Sequence, residues 1–356
     1  MNTRIPSAAN RTLTRLARVS GLRALAWSGD ELYAARGYQL LRARIQDPSA
    51  TLIWQPVATF HPSWRRKLSA ANRLTARLCR DGFHALAVLR TGGIVGAIPG
   101  AIVTLRANDT IFRQTHVITR GTRPLHIATV PDGTIYWGEY FDNAARDEVH
   151  IYASTDEGAT WSVAYTFPKR SIRHVHNIVY DPWEKCLWIL TGDYGDECRI
   201  LRANCDLTEV ETVLQGNQQA RAVALVPMKD ALYFSSDTPL ESNCIYRLDR
   251  RGCLSRLTAI SSSSISGCQV GESIFFSTMV EPSEVNRDRQ VRLYGSRSGA
   301  RGWDPLVEWK KDPWPMALFQ YGNALLPGGN NATAYLAIST VAVESDDQAT
   351  SLYKVG

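Results

Sequence analysis

From residue 120 onward the chain repeats one pattern: runs of four to eight residues rich in Val, Ile, Tyr, Phe and Trp, each bounded by Asp, Gly, Pro or Ser. No helical apolar period intervenes, so the pattern predicts short strands. Leu125–Val130, Ile135–Tyr140, Val149–Ala153 and Trp161–Phe167 form one set. His176–Tyr180, Cys186–Thr191, Arg199–Ala203 and Val210–Leu214 repeat it, as do Arg221–Val226, Ala231–Ser236, Cys244–Leu248 and Leu254–Ala259. Further units begin near Ile265 and Tyr321. Upstream, Phe83–Ile118 forms another and Leu22–Phe60 the first, giving seven.

Four strands every 40 to 50 residues predict an all-β, seven-bladed β-propeller occupying residues 1–356 as a single domain. An isolated four-stranded sheet has two apolar faces and must stack on neighbours to bury both. The last unit offers three strands, Gly322–Leu326, Tyr335–Val343 and Ser351–Val355, so Arg11–Val19 is expected to supply its fourth and latch the ring. Two packed β-sandwiches are the alternative.

One segment, residues 61–82, departs from the rhythm. Trp64, Leu68, Ala71, Leu74 and Leu78 fall on one stripe of a helix that Ser63 would cap and Gly82 would end. Arg65, Arg66, Lys67, Arg73, Arg77 and Arg80 occupy the other faces. A basic amphipathic helix suits an anionic membrane surface or an acidic protein partner; a solvated helix on the propeller flank is the plainer alternative.

Charge sharpens that picture. The net charge of +6 conceals a front of 82 residues with 14 Arg or Lys against 4 Asp or Glu, while the remaining 274 hold 26 against 30. A basic front on a mildly acidic body points to local docking rather than to nucleic acid, and no RNP pattern, C2H2 spacing or P-loop is present. With 44% apolar residues the chain is expected to be globular. No apolar h-region opens it, and the seven cysteines are scattered without a C-x-x-C pair, so a reducing, cytoplasmic setting is expected, with peripheral membrane contact through residues 61–82.

Ser154, Asp156, Gly158, Thr160 and Trp161 are spaced S-x-D-x-G-x-T-W between two predicted strands. The serine and aspartate can bond the turn backbone, the glycine can take positive φ, and the tryptophan can anchor the turn. This segment resembles an Asp-box, the BNR repeat of sialidase-like propellers, and Ser296, Ser298, Gly299 and Trp303 make a degenerate copy without the aspartate. The resemblance implies a propeller turn remote from any catalytic mouth. Arg4-Ile5-Pro6 echoes the sialidase arginine motif but precedes every predicted strand.

Superposing the units locates a candidate site. Ends of second strands carry Glu139, Asp193, Asp237 and Glu281; starts of innermost strands carry His84, His126, His174 with His176, Gln219 with Arg221, and Gln320 with Tyr321. In a propeller both slots face one mouth. Carboxylates, imidazoles, guanidiniums and aromatic faces such as Trp137 suit an anionic saccharide, with Arg173 and Arg221 for its carboxylate and Gln219, Gln320, Tyr321 and Trp137 for the rest of the sugar. Glu139, Asp193, Asp237, Glu281 and His176 are the acid, base or nucleophile candidates for glycoside hydrolysis. His126, His174 and His176, with Gln219, are candidate ligands for a divalent metal: Mn, Ca or Zn. That set is similar in composition to the metal site of oligogalacturonate lyases, propellers that cleave acidic sugars by β-elimination. The resemblance implies metal and arginine neutralising a uronate. Acids at strand ends also commonly tie loops together and pair with arginine, so the second expectation is a non-catalytic propeller that binds glycan or serves as a protein-assembly platform.

Overall fold

The computed structural model describes residues 13–46, 52–297 and 302–356. Arg4-Ile5-Pro6, Arg11 and Thr12 of the predicted latch, and Ser298 with Gly299 of the degenerate turn lie outside them.

Alternation of buried and half-buried positions builds five separate antiparallel sheets. They are Arg23–Gly29 to Gln55–Thr59, Ala85–Val88 to Arg113–Val117, Ala128–Thr129 to Ser162–Phe167, His174–Asp181 to Val210–Gln215, and Ala222–Pro227 to Leu254–Ala259. Innermost strands are nearly all buried, whereas outermost strands such as Ser162–Phe167 are largely exposed. The core lies between blades: Leu25, Tyr33 and Leu40 of the first pack on Phe83, Leu86 and Ile98 of the second.

The prediction of seven separate blades is corrected here. Five blades stand alone, and the remaining strands form one curled eight-stranded sheet. The strand Ser273–Val280 runs two residues past its blade partners, so Met279 and Val280 pair with Asn323 and Gly322 and weld the last two repeats together. Leu13–Ser20 pairs antiparallel with Ala349–Val355 at the sheet's edge. Between Leu326 and Tyr335, Gly328–Asn331 pairs in parallel with Ala26–Gly29 of the first blade. Glycine makes that approach feasible: a Cβ on Gly329 would lie 2.3 Å from the Trp27 carbonyl oxygen.

The S-x-D-x-G-x-T-W turn is an interblade clamp. Asp156 accepts from the Thr160 amide at 2.9 Å and hydroxyl at 2.6 Å, and Ser154 Oγ accepts from the Gly158 amide at 2.8 Å. Gly158, at φ 83°, docks on the preceding blade, where Thr104 Oγ1 donates to its carbonyl at 2.8 Å. A Cβ there would meet Val95 at 2.7 Å. Trp303, from the degenerate turn, is buried against Phe276.

The insertion also differs from expectation. Two short helices replace one: α1 (Trp64–Ala71) and α2 (Arg73–Cys79), separated at Asn72, whose backbone is extended and whose side chain caps α2 by accepting from the Leu74 amide. Ser63 makes no side-chain cap, and Arg80, in the left-handed region, ends α2 ahead of Gly82. The apolar stripe faces outward, with Trp64 68% and Leu68 64% exposed. The buried side is Arg77, 1% exposed, which donates to Asp312 at 2.6 Å and to the Phe319 carbonyl at 2.6 Å, with Asp347 at 3.4 Å. An ion cluster, rather than an apolar seam, fixes α2 to the molecule. It also packs on a third helix, α3 (Met316–Phe319).

Candidate functional site

Two polar centres occur near the mouth. The first lies where the second-strand ends of neighbouring blades meet. Asp193 follows the buried strand Cys186–Gly192, and its carboxylate is within 3.2 Å of Arg173, 3.3 Å of Arg221 and 3.3 Å of His176 Nε2. Arg221 also approaches Asp237 at 3.6 Å, and Arg173 pairs with Asp142. Burial would raise the Asp193 carboxyl, but the hydrogen bonds and charge of His174 and His176 hold it well below the usual carboxylate range. Burial raises that of Asp237, opposed by Arg221 and assisted by Glu281. His174 and His176 sit on one strand face, and a bulge between Val175 and Asn177 turns His176 toward Asp193. One ligand atom from each of His174, His176 and Asp193 lies within 4.8 Å of the others, so among the described residues this trio could hold a metal.

Several expected roles are corrected by these contacts. Glu139 is fixed by Arg120, whose Nε donates at 2.9 Å, and by the His150 amide at 2.8 Å; it ties the blade together and has no room for acid–base work. Asp193 and Asp237 share Arg221, so the arginine expected to meet a substrate carboxylate already meets protein carboxylates. Arg173 is engaged likewise. Trp137 is 2% exposed and stacked on Tyr152 at 4.3 Å, inside the interblade core, where no sugar reaches it. Gln219 lines a separate cavity of about 330 Å³ with Glu241 and Arg256. His126 is absent from the metal-capable trio and faces the central channel instead; burial, then the charges of His176 and Arg23, lower it to about 4. Glu281 contributes only its charge to the Arg221 cluster.

The second centre is the channel itself, a cavity of about 1650 Å³ that Gln320 and Tyr321 also line. Arg23, Arg80 and Arg123 converge on its walls and rim beside His84. Arg23 donates to His84 Nδ1 at 3.1 Å and to its carbonyl at 3.3 Å. That bond leaves Nδ1 as acceptor, so Nε2 carries the hydrogen and donates to the Arg80 carbonyl at 2.6 Å. Burial, then Arg123 and Arg23, push His84 well below its ordinary value, and it stays neutral at pH 7. Arg23 falls to about 10 through burial and the charge of Arg123; Arg123 falls to about 10 through burial and the charge of Arg80. Among the described residues, none of the three guanidiniums forms an ion pair. Arg23 Nε and Asn323 Oδ1, both buried and both lining the channel, have no hydrogen-bond partner. The sequence slot that gave His84 and His126, the start of an innermost strand, also contains Arg23, but the first repeat was not read that way.

No family model and no curated protein matches the chain. Its fold is similar to that of a chain in a crystal structure of the mitotic checkpoint complex, at TM-score 0.59 and 11% identity over 99% of each chain. It is also similar to the WD40 beta propeller domain of Doa1, at 0.58 and 10% over 97% of each. A computationally designed protein, Ika8, matches at 0.53 and 8%, over 97% of this chain and all of that one. At such identities the likeness shows a β-propeller fold alone.

Proposed function

We propose that the protein is a non-catalytic binding propeller that takes a small anionic ligand, an acidic saccharide, into its central channel. Three guanidiniums directed at one cavity without a carboxylate partner carry this reading. Unpaired cations in a confined space repel one another, and a carboxylate or sulfate entering between Arg23, Arg80 and Arg123 would relieve that repulsion while gaining charge-assisted hydrogen bonds. Asn323 Oδ1, Gln320 and the half-exposed ring of Tyr321 offer an acceptor, an amide and an aromatic face to sugar hydroxyls and rings. Glycoside hydrolysis is disfavoured by the pairing of Glu139, Asp193 and Asp237 with arginine. Seven free thiols support a reducing, cytoplasmic location.

Calorimetry with galacturonate oligomers, sialic acid and sulfated disaccharides, against neutral sugars, tests the proposal. Binding of at least one acidic class is expected, weakening with salt and falling at least about tenfold in Arg123→Met. Failure of every acidic ligand to bind, or binding indifferent to Arg23→Met and Arg123→Met, overturns it.

We further propose that the insertion seats the propeller on an anionic bilayer. No helix among the described residues is long and apolar enough to cross a membrane. Of fifteen exposed large apolar side chains among the described residues, Trp64, Leu68, Leu74, Leu78, Trp314 and Leu318 cluster on the mutually packed α1, α2 and the α3 region. Arg65 and Lys67 are exposed among them, and the nearby Asp81 is taken up by Tyr38, Ser69 and Arg66. Apolar anchors ringed by cations complement acidic headgroups. Sedimentation with phosphatidylserine vesicles at low salt should bring the protein down, and Trp64→Ser with Leu68→Ser should release it. Equal partition to neutral vesicles, or none to either, refutes this docking.

A further inference from the structure

With both imidazoles neutral, the groups around Asp193 present a donor–acceptor imbalance. His174 Nδ1 lies 3.0 Å from the Phe141 carbonyl oxygen and His176 Nδ1 lies 2.9 Å from that of Ala222. Carbonyls only accept, so each Nδ1 carries the hydrogen, and a neutral imidazole then presents a lone pair at Nε2. Those two nitrogens are 3.0 Å apart, and Asp193 Oδ1 is 3.3 Å from one and 3.5 Å from the other. Three acceptor atoms therefore share one small volume. One proton on either nitrogen serves a single acceptor at a time.

A cation serves all three. Ligands 3.0 to 3.5 Å apart subtend roughly 90 to 115° at an ion about 2.1 Å from each, within tetrahedral-to-octahedral geometry. The surroundings have the outer shell of a built site. Both imidazoles are oriented by backbone carbonyls, and the carboxylate accepts from Arg173 and Arg221. Position 192 is glycine where a Cβ would approach His176 Cε1 to 3.2 Å. Charge points the same way: buried Asp193 and Asp237, with the nearby charge of Glu281, face Arg221, while Arg173 is shared with the exposed Asp142.

We propose that His174 Nε2, His176 Nε2 and Asp193 Oδ1 bind one divalent cation of the zinc class within the fourth blade, its imidazoles oriented by the Phe141 carbonyl of the third blade and the Ala222 carbonyl of the fifth. Two imidazoles and one carboxylate favour zinc or cobalt over calcium, which takes oxygen ligands. The ligand set differs from that expected from sequence: Asp193 enters as a ligand, while His126 and Gln219 do not belong to it. All three ligands are buried, so the ion is a structural tie. This site is independent of the channel, and either proposal can fail without the other.

Chelator-treated, untagged full-length protein should take up one equivalent of Co²⁺ with visible d–d absorption, displaced by Zn²⁺, and its unfolding midpoint should rise with Zn²⁺. His176→Gln and Asp193→Asn should weaken binding by about tenfold or more. Should those variants fold poorly, long-range proton–nitrogen spectra of the wild type decide. Metal-free protein should show hydrogen on both Nδ1 atoms, and Zn²⁺ should shift both Nε2 resonances. No stoichiometric uptake, unchanged Nε2 signals on adding Zn²⁺, or undiminished affinity in both folded variants overturns the proposal.

Discussion

Replacing Arg123 by Met is expected to make the ligand-free protein more stable. Burial and the neighbouring charge of Arg80 lower Arg123 from 12.5 to about 10, and Arg23 is lowered to the same value by burial and Arg123. A gap of about 2.5 units corresponds to about 3 kcal/mol of unfavourable interaction for the charged side chain, at about 1.36 kcal/mol per unit. The channel admits water, and Met loses the guanidinium's polar contacts, so a net gain of about 1 to 3 kcal/mol remains. The sign follows from linkage: a cation whose folded value is depressed destabilises the fold at neutral pH, and the penalty fades as pH rises through about 10 toward 12.5. Urea unfolding of wild type and Arg123→Met at pH 7 measures the gain, and their difference should shrink at the alkaline end. The double variant with Arg23→Met should gain less than the sum, since removing Arg123 already lifts part of the penalty on Arg23. A loss of more than about 1 kcal/mol in Arg123→Met would show that the guanidinium is satisfied inside the fold, and the channel would lose its anion site.

Arg77→Met should behave oppositely, costing about 3 to 5 kcal/mol by urea titration because it strips a buried cation from Asp312 and Asp347. Trypsin should then cut faster at Arg65 to Lys67, and an unchanged midpoint would contradict the ion-cluster anchor. Lowering pH from 7.5 to 5 should destabilise the wild type more than His126→Gln: His126 is held down to about 4, so the unfolded chain takes the proton first, and stability present above about 6.5 is lost as pH falls toward 4. Equal pH dependence in both proteins would remove His126 from that account. Gly138→Ala should cost about 1 to 3 kcal/mol, since the new methyl would meet both Cβ and Cγ1 of Val175 at 2.5 Å across the blade interface, of which Val175→Ala removes Cγ1. Val175→Ala should restore part of the loss, and additivity in that cycle would argue against direct contact.

Strand positions were legible because alternation is local: each run carries its own inward and outward faces, and the blade slots placed Asp193, Asp237 and His174 near one another although they are dozens of residues apart. Blade boundaries were not. Pro327-Gly328-Gly329-Asn330-Asn331 reads as a turn, yet the bare glycines let it pair with the first blade, and a two-residue extension of Ser273–Val280 joins the last repeats. Neither event alters apolar periodicity. Side-chain partners were equally hidden. Trp137 occupies a slot near the mouth by strand position, but its ring turns into the interblade core and meets Tyr152.

Arg77 and Arg123 show why composition alone misleads about charge. Arg77 belongs to the basic front and Arg123 to the mildly acidic remainder, yet the insertion and the loop that follows the second blade bring both to the channel. Arg77 meets Asp312 and Asp347, acids 235 and 270 residues away, and becomes a structural bolt. Arg123 forms no ion pair among the described residues and stands beside Arg80 and the Tyr140 hydroxyl, which is why we propose it for anion binding. Net charge counts the two alike, whereas the fold pairs one guanidinium with buried acids and leaves the other without an acidic partner. The acidic mouth follows the same logic in reverse. Its carboxylates outnumber the guanidiniums that reach them, and the deficit falls where two imidazoles offer lone pairs to the same volume. The anion proposed for the channel and the cation proposed beside Asp193 would thus answer one electrostatic condition: each centre lacks the charge it would need to be neutral alone.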